Sequence, residues 1–177
     1  MGNQGREDLT RMTLVALLRA INAGIALPMA ELRDIAAELG FANPRTYIAS
    51  GNLLFESALS EADVKRLLEV RLTEHVGKTL TTMIRTAAEL PQAVAANPFA
   101  AEPGNRVAAI FLDTAPPASI LTDHKHLGDE RIALGNREIY VHYPDGMGKS
   151  RLTIPGARSG TARNMNTVAK LAKLAAA

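Results

Sequence analysis

The sequence predicts an α+β fold: duplicated ferredoxin-like (β-α-β-β-α-β type) subdomains with mostly antiparallel sheets and a C-terminal helix. Three observations predict it. Short strand-like apolar runs alternate with apolar stripes at helical spacing, in the order of that unit. The order β-α-β-β begins again after the turn-rich stretch Glu102-Pro103-Gly104-Asn105. The 177 residues are 47% hydrophobic, enough for one ordinary domain or two small ones whose cores need neither disulfide nor metal. No residue-level repeat accompanies the recurrence, so the duplication is read from the pattern of elements.

Residues 1–12 are polar and glycine-containing and read as a disordered leader; they lack the apolar stretch of a secretory signal. The first subdomain is expected over 13–86. Thr13–Leu18 is an apolar run that reads as a strand. After a loop carrying Gly24 and Pro28, Met29, Leu32, Ile35, Ala36 and Leu39 recur at helical spacing, and Gly40 stops them. Arg45–Ile48 and Leu53–Phe55 are strand candidates separated by Ser50-Gly51-Asn52, a hairpin signal. Ser60 and Asp63 begin a capping-box-like helix start. Val64, Leu67, Leu68, Leu72 and Val76 give that helix its apolar stripe, Gly77 ends it, and Leu80, Thr82 and Ile84 predict a strand.

Residues 87–105 are expected to connect the halves. Thr86 and Glu89 suggest a capping box, but Pro91 predicts that a helix starts no earlier than itself. The second subdomain is expected over 106–177. It has a strand Val107–Leu112, a Pro116-Pro117 turn, a short helix to about Lys125 and a strand Arg131–Leu134. Gly135-Asn136 then turns the chain into a strand Glu138–His142. A last helix is expected from about Arg163 to Ala175, with Met165, Val168, Leu171, Ala172 and Ala175 on its core side.

Composition removes several functions. The chain has no cysteine, which excludes thiol catalysis, Cys-ligated zinc and iron–sulfur chemistry and fits a reducing, cytoplasmic compartment. No apolar run reaches the ~20 residues of a membrane helix. No metal site, cofactor motif or catalytic constellation is expected. His124-x-His126 lacks further ligands and reads as a solvent-facing loop, and His142 as a surface or hairpin residue. Gly148-Lys149-Ser150 imitates the end of a phosphate-binding loop, yet Tyr143 stands where that motif needs glycine. With only Tyr47 and Phe55 near a sheet, no stacking platform for RNA is visible.

Three polar segments remain: Arg19–Gly24, Arg45–Asn52 and Gly160–Thr167. Arginine pairs anions bidentately and asparagine orients them by hydrogen bonds, which makes these segments a candidate binding site for a phosphate- or carboxylate-bearing small ligand. Its expected contacts are Arg19, Asn22, Arg45, Tyr47, Ser50, Asn52, Arg163, Asn164, Asn166 and Thr167. Arg163 is expected at a helix start, where a cation calls for an anion to offset the dipole. Structural duty as turn and cap residues is the competing reading of the asparagines. An enzyme, a transferase or hydrolase with Ser50 or Tyr47 reacting, is a second alternative, without a visible paired base. Nucleic-acid binding is a third, because residues 136–177 hold seven Lys or Arg against two acids, a net +5 in a chain of +2. Nothing in the sequence sets the oligomeric state.

The same three segments resemble the DUF1697 family, a domain of unknown function found in bacteria. The family's pattern is LLRGIN-x-G, M-x-E-L and R-T-Y-I-x-S-G-N, with T-x-R-N-W-N-T-V-x-K-L near the end. This chain matches at Arg19, Ile21, Asn22, Gly24, Met29, Glu31, Leu32, Arg45–Ile48, Ser50–Asn52, Arg163, Asn164, Asn166–Val168, Lys170 and Leu171. Ala20 stands at the family's glycine and Met165 at its tryptophan. The resemblance implies a shared fold nearly end to end past residue 12, and it assigns no activity or catalytic residue.

Overall fold

The computed structural model describes residues 11–21 and 24–177; the expected leader up to residue 10, and Asn22, lie outside them. The chain divides into two compact units, one running to Ala87 together with Ala175–Ala177, the other Ala88–Leu174.

The first unit contains β1 (Met12–Leu18), α1 (Met29–Glu38), β2 (Ala42–Thr46), β3 (Asn52–Ser57), α2 (Glu61–Val76) and β4 (Thr82–Thr86). Its sheet has the order β2-β3-β1-β4 and is antiparallel throughout. Alternation along the strands sends Leu14, Ala16, Leu18, Leu53, Phe55 and Ile84 to one face. There they meet Leu32, Ile35 and Ala36 of α1 and Val64, Leu68 and Leu72 of α2, all at most 3% exposed. The helices are stopped as their sequences imply. Ser60 Oγ accepts from Asp63 N at the start of α2, and Gly77 takes φ +74° at its end. Glu69 of α2 accepts from both Lys65 Nζ and Thr82 N, tying the helix to the first residue of β4.

The second unit contains α3 (Glu89–Ala95), β5 (Val107–Phe111), β6 (Arg131–Leu134), β7 (Glu138–His142), β8 (Thr161–Asn164) and α4 (Met165–Ala176), whose last two residues group with the first unit. Its antiparallel sheet has the order β6-β7-β5-β8, so each unit shows the strand order of the expected duplicated ferredoxin-like arrangement. Ile110, Leu112, Ile139 and Val141 form its apolar face with Ile120 and Ile154.

Four elements differ from the sequence expectation. Strand β2 starts at Ala42 and ends at Thr46; Tyr47 N donates to Asn52 O, and Ile48 at φ +51° belongs to the turn. Helix α3 begins at Glu89 in spite of Pro91, because the first four N–H groups of a helix have no intrahelical acceptor and a proline there sacrifices nothing. The short helix after Pro117 is a single 3₁₀ turn, Ala118–Leu121. Strand β8 was not expected. It takes Arg163 and Asn164 out of the last helix, which starts at Met165. Its four residues, TARN, carry no apolar alternation, and only pairing with β5 makes them a strand. No helix among the described residues is long and apolar enough to cross a membrane.

Candidate functional site

The first two polar segments meet at one end of the first sheet. Leu18 N, the last amide of β1, donates to Gly51 O at 2.9 Å. Asn52 is fully buried and its Nδ2 donates to Tyr47 O at 3.0 Å and to Ser50 Oγ at 3.2 Å. A buried amide must be hydrogen-bonded, and here those bonds close the turn that packs on β1. Arg19 and Ile48 are exposed, and Tyr47 and Ser50 are half-buried.

Ala20 sits in the same place at φ +62°, held there as Gly24 N and Ile25 N donate to its carbonyl at 3.1 and 3.2 Å. A left-handed backbone costs a residue with a Cβ about 1–2 kcal/mol, which explains why glycine suits this position. Ala20→Gly is therefore expected to stabilise the chain by about 0.5–1 kcal/mol, the gain being trimmed by glycine's larger unfolded-state entropy. An unchanged or lower urea midpoint would count against that geometry.

The third segment lies in the second unit and is divided between strand and helix. Arg163 sits on β8 opposite Ala109, 9% exposed, with Nη1 donating to Ala162 O at 2.9 Å. Burial lowers its guanidinium pKa to about 10. It is a side chain of the sheet face, and the expected cation at a helix start is corrected accordingly. The first unit repeats the device: Arg85 on β4 faces Val15, is 1% exposed, and its Nη1 donates to Ile84 O at 2.9 Å. Arg85 carried no signal in sequence; only the shared strand order aligns it with Arg163. Asn164 Oδ1 accepts from Thr167 N at 2.9 Å and so caps α4, the role that asparagine fills best. The exposed Asn166 rests its side-chain amide on Gly104, where a Cβ would come within 2.1 Å of Asn166 Oδ1. Thr167 is buried, and Met165, at the family's tryptophan, is buried too.

His142, expected as a surface or hairpin residue, ends the β6–β7 hairpin but is only 7% exposed. Its Nδ1 lies 3.2 Å from Arg131 Nη2 and its Nε2 3.6 Å from Glu102 Oε2, while Arg131 also reaches Glu102 Oε1 at 3.1 Å. The Arg131 guanidinium stands 4.8 Å from the centre of the Phe99 ring. Near the sheet's other loops, Ser150 Oγ donates to Glu130 Oε1 at 2.6 Å, and this bond holds the Glu130 carboxyl below its usual range. Burial, then the Glu130 charge, raises the Tyr143 phenol above its ordinary value. Residues 147–149 form a 3₁₀ turn, not a phosphate loop. His124 and His126 lie in a loop, and no group of three metal-ligating side chains occurs among the described residues.

A concavity of the first unit lies toward the other end of its sheet. It is a groove of about 470 Å³ lined by Thr13, Asn43, Pro44, Arg45, Phe55, Glu56 and Ala177. A β-bulge between Ala42 and Arg45 shapes it, and Asn43 there adopts φ +50°. Asn43 Nδ2 donates to Glu56 Oε2 at 2.7 Å. Of the expected ligand contacts among the described residues, only Arg45 lines this groove. Arg19 is six strand residues from Thr13, about 20 Å away. Asn43 and Glu56 were missed because nothing in their local sequence distinguishes them; the bulge that presents Asn43 is a product of pairing.

Comparison with known proteins agrees with the fold. The family described as "Protein of unknown function (DUF1697)" matches residues 12–140, so the chain belongs to that family. The match ends before β8 and α4, and thus before the Arg163–Thr167 segment. Among solved structures, the conserved bacterial protein SP0830 from Streptococcus pneumoniae is similar, with a TM-score of 0.79 and 22% identity over 94% of this chain and 99% of that one. At that identity the likeness concerns the fold alone. No curated protein matches the chain.

Proposed function

We propose that this member of the DUF1697 family is a binding module for a small carboxylate- or phosphate-bearing ligand, held in the first unit's groove with Arg45 as the anion-pairing cation. One observation carries the reading: a groove of about 470 Å³ with Arg45, Asn43 and Thr13 along its wall. Such a volume falls within the ~300–1,000 Å³ typical of ligand pockets. Arginine keeps its charge at any physiological pH and offers a planar fork of donors to a carboxylate or phosphate. Arg19, Tyr47, Ser50, Asn52 and Arg163–Thr167 support the walls and turns of the two units in this reading. The cysteine-free chain suits a reducing, cytoplasmic setting.

A thermal-shift screen tests the proposal with inorganic phosphate, carboxylic acids, nucleotides and an oligonucleotide. A ligand at ~100 times its Kd adds about 2.7 kcal/mol of stability, and Arg45→Ala is expected to abolish the shift. An Arg45→Ala variant that responds as fully as the wild type would sink the proposal. Stabilisation only by the oligonucleotide, steeply weakened by salt, would favour nucleic-acid binding instead. Structure gives that alternative less support, since Arg137 is held by Glu89 at 2.6 Å and Arg163 is buried.

A further inference from the structure

The groove of the first unit has a counterpart in the second, and the counterpart is already filled. Equal strand order matches β1 with β5, β3 with β7 and β2 with β6. The register is fixed by Val15 opposite Arg85 and Ala109 opposite Arg163. Two residues toward the start of each central strand lie Thr13 and Val107. Their partners on the neighbouring strand are Glu56 and His142, and those in turn face Ala42 and Arg131 on the edge strand. In the second unit this position receives Phe99 and Glu102 from the stretch that precedes β5. The Glu102 carboxylate bridges Arg131 at 3.1 Å and His142 at 3.6 Å. The Phe99 ring lies 4.8 Å from the Arg131 guanidinium and 6.0 Å from the His142 ring. In the second unit an aromatic ring and a carboxylate together fill this corner of the sheet.

We propose that the open groove takes an aromatic α-amino acid, a ligand that brings its own ring and carboxylate. The inference rests on the binding-module reading and narrows it. The cation is supplied from the same edge strand, where Arg45 follows the bulge that begins at Ala42. A guanidinium pairs a carboxylate through its edge and an aromatic ring through its face, as Arg131 does with Glu102 and Phe99. Glu56 stands where the second unit has His142. One of its oxygens, Oε2, is held by Asn43 Nδ2 at 2.7 Å, which orients the carboxylate beside the groove. A carboxylate in that place repels a second anionic group and attracts an ammonium. The charged side chains of the groove, one arginine and one glutamate, therefore favour a zwitterion over a phosphate ester.

Isothermal titration of the full chain tests this with L-phenylalanine, 3-phenylpropionate, phenethylamine, L-alanine and inorganic phosphate. L-phenylalanine is expected to bind at least about tenfold more tightly than 3-phenylpropionate or L-alanine, a difference of ~1.4 kcal/mol. Glu56→Gln should erase the preference over 3-phenylpropionate, and Arg45→Gln should weaken both alike. Arg66→Ala, an exposed change on α2, should bind as the wild type does, and circular dichroism establishes that each variant is folded. Arg45-dependent binding of 3-phenylpropionate or phosphate equal to that of L-phenylalanine would overturn the amino-acid inference and leave the anion-binding module standing. Failure of every probe to bind in an Arg45-dependent way would overturn both.

Discussion

Phe55→Ala is expected to lower the free energy of unfolding by about 3–5 kcal/mol. The Phe55 side chain is 1% exposed and belongs to the first unit's core. Its ring stacks on Phe41, with centroids 4.4 Å apart and planes 15° from parallel. Removing it takes away a large apolar surface and leaves a cavity that α1, α2 and β3 are too closely packed to close. The partner ring also loses its stacking contact, worth about 0.5–1.5 kcal/mol beyond area. Since domains are typically stable by only ~5–15 kcal/mol, the variant should show a much lower urea midpoint or fail to accumulate. Phe55→Leu keeps most of the volume and is expected to cost less than half as much. Equal losses for the leucine and alanine variants would show that the stacking, not the filled space, matters here.

Gly51→Ala is expected to cost about 2–4 kcal/mol, from two separable causes. Gly51 takes φ +90°, a conformation that costs a residue with a Cβ about 1–2 kcal/mol. An added Cβ would also stand 2.9 Å from Ile21 Cγ1 and 3.0 Å from Leu18 Cβ, both in the core. Overpacking of that kind costs about 1–3 kcal/mol. Gly77→Ala supplies the comparison, because Gly77 has φ +74° and nothing within 4 Å of the added carbon. Gly77→Ala should therefore show the backbone cost alone, about 1–2 kcal/mol. If urea titrations give the two variants the same loss, the close approach of the Ser50–Asn52 turn to β1 is not as tight as the distances state.

The two variants also explain what the polar segments were legible for. Ser50-Gly51-Asn52 could be recognised as a turn, since glycine and asparagine are the residues that turns require. Whether Asn52 faced a ligand or its own loop was not legible. The same amide serves both, and only the burial of Asn52 and its bonds to Tyr47 and Ser50 distinguish them. Asn164 is a parallel case. Its preference for helix starts was readable, but its position as cap depended on β8 ending at that residue. Arg163 was misplaced because a four-residue strand has no period to detect. Among the described residues Arg45 is the expected contact that lines the groove; its neighbour Asn43 came from a bulge that pattern reading does not foresee, and Glu56 from the pairing of β3 with β1 and β2.

Periodicity and turn chemistry are local quantities, and they were enough for the α+β class, the order of strands and helices in the first unit, the caps at Ser60 and Gly77, and the apolar stripes of the helices. Each depends on residues within a turn or two of one another, so the chain states them directly. Strand order, register and the opposition of Arg85 and Arg163 to the central strands depend on residues brought together by pairing, 70 positions apart for Val15 and Arg85 and 54 for Ala109 and Arg163. So do the filling of one sheet corner by Phe99 and Glu102 and the opening of the other beside Arg45. Those contacts are selected by the packing of whole sheets, where a slip of one residue turns every side chain of a strand to the opposite face. The groove itself resides in that second set, which is why it became visible only in the folded chain.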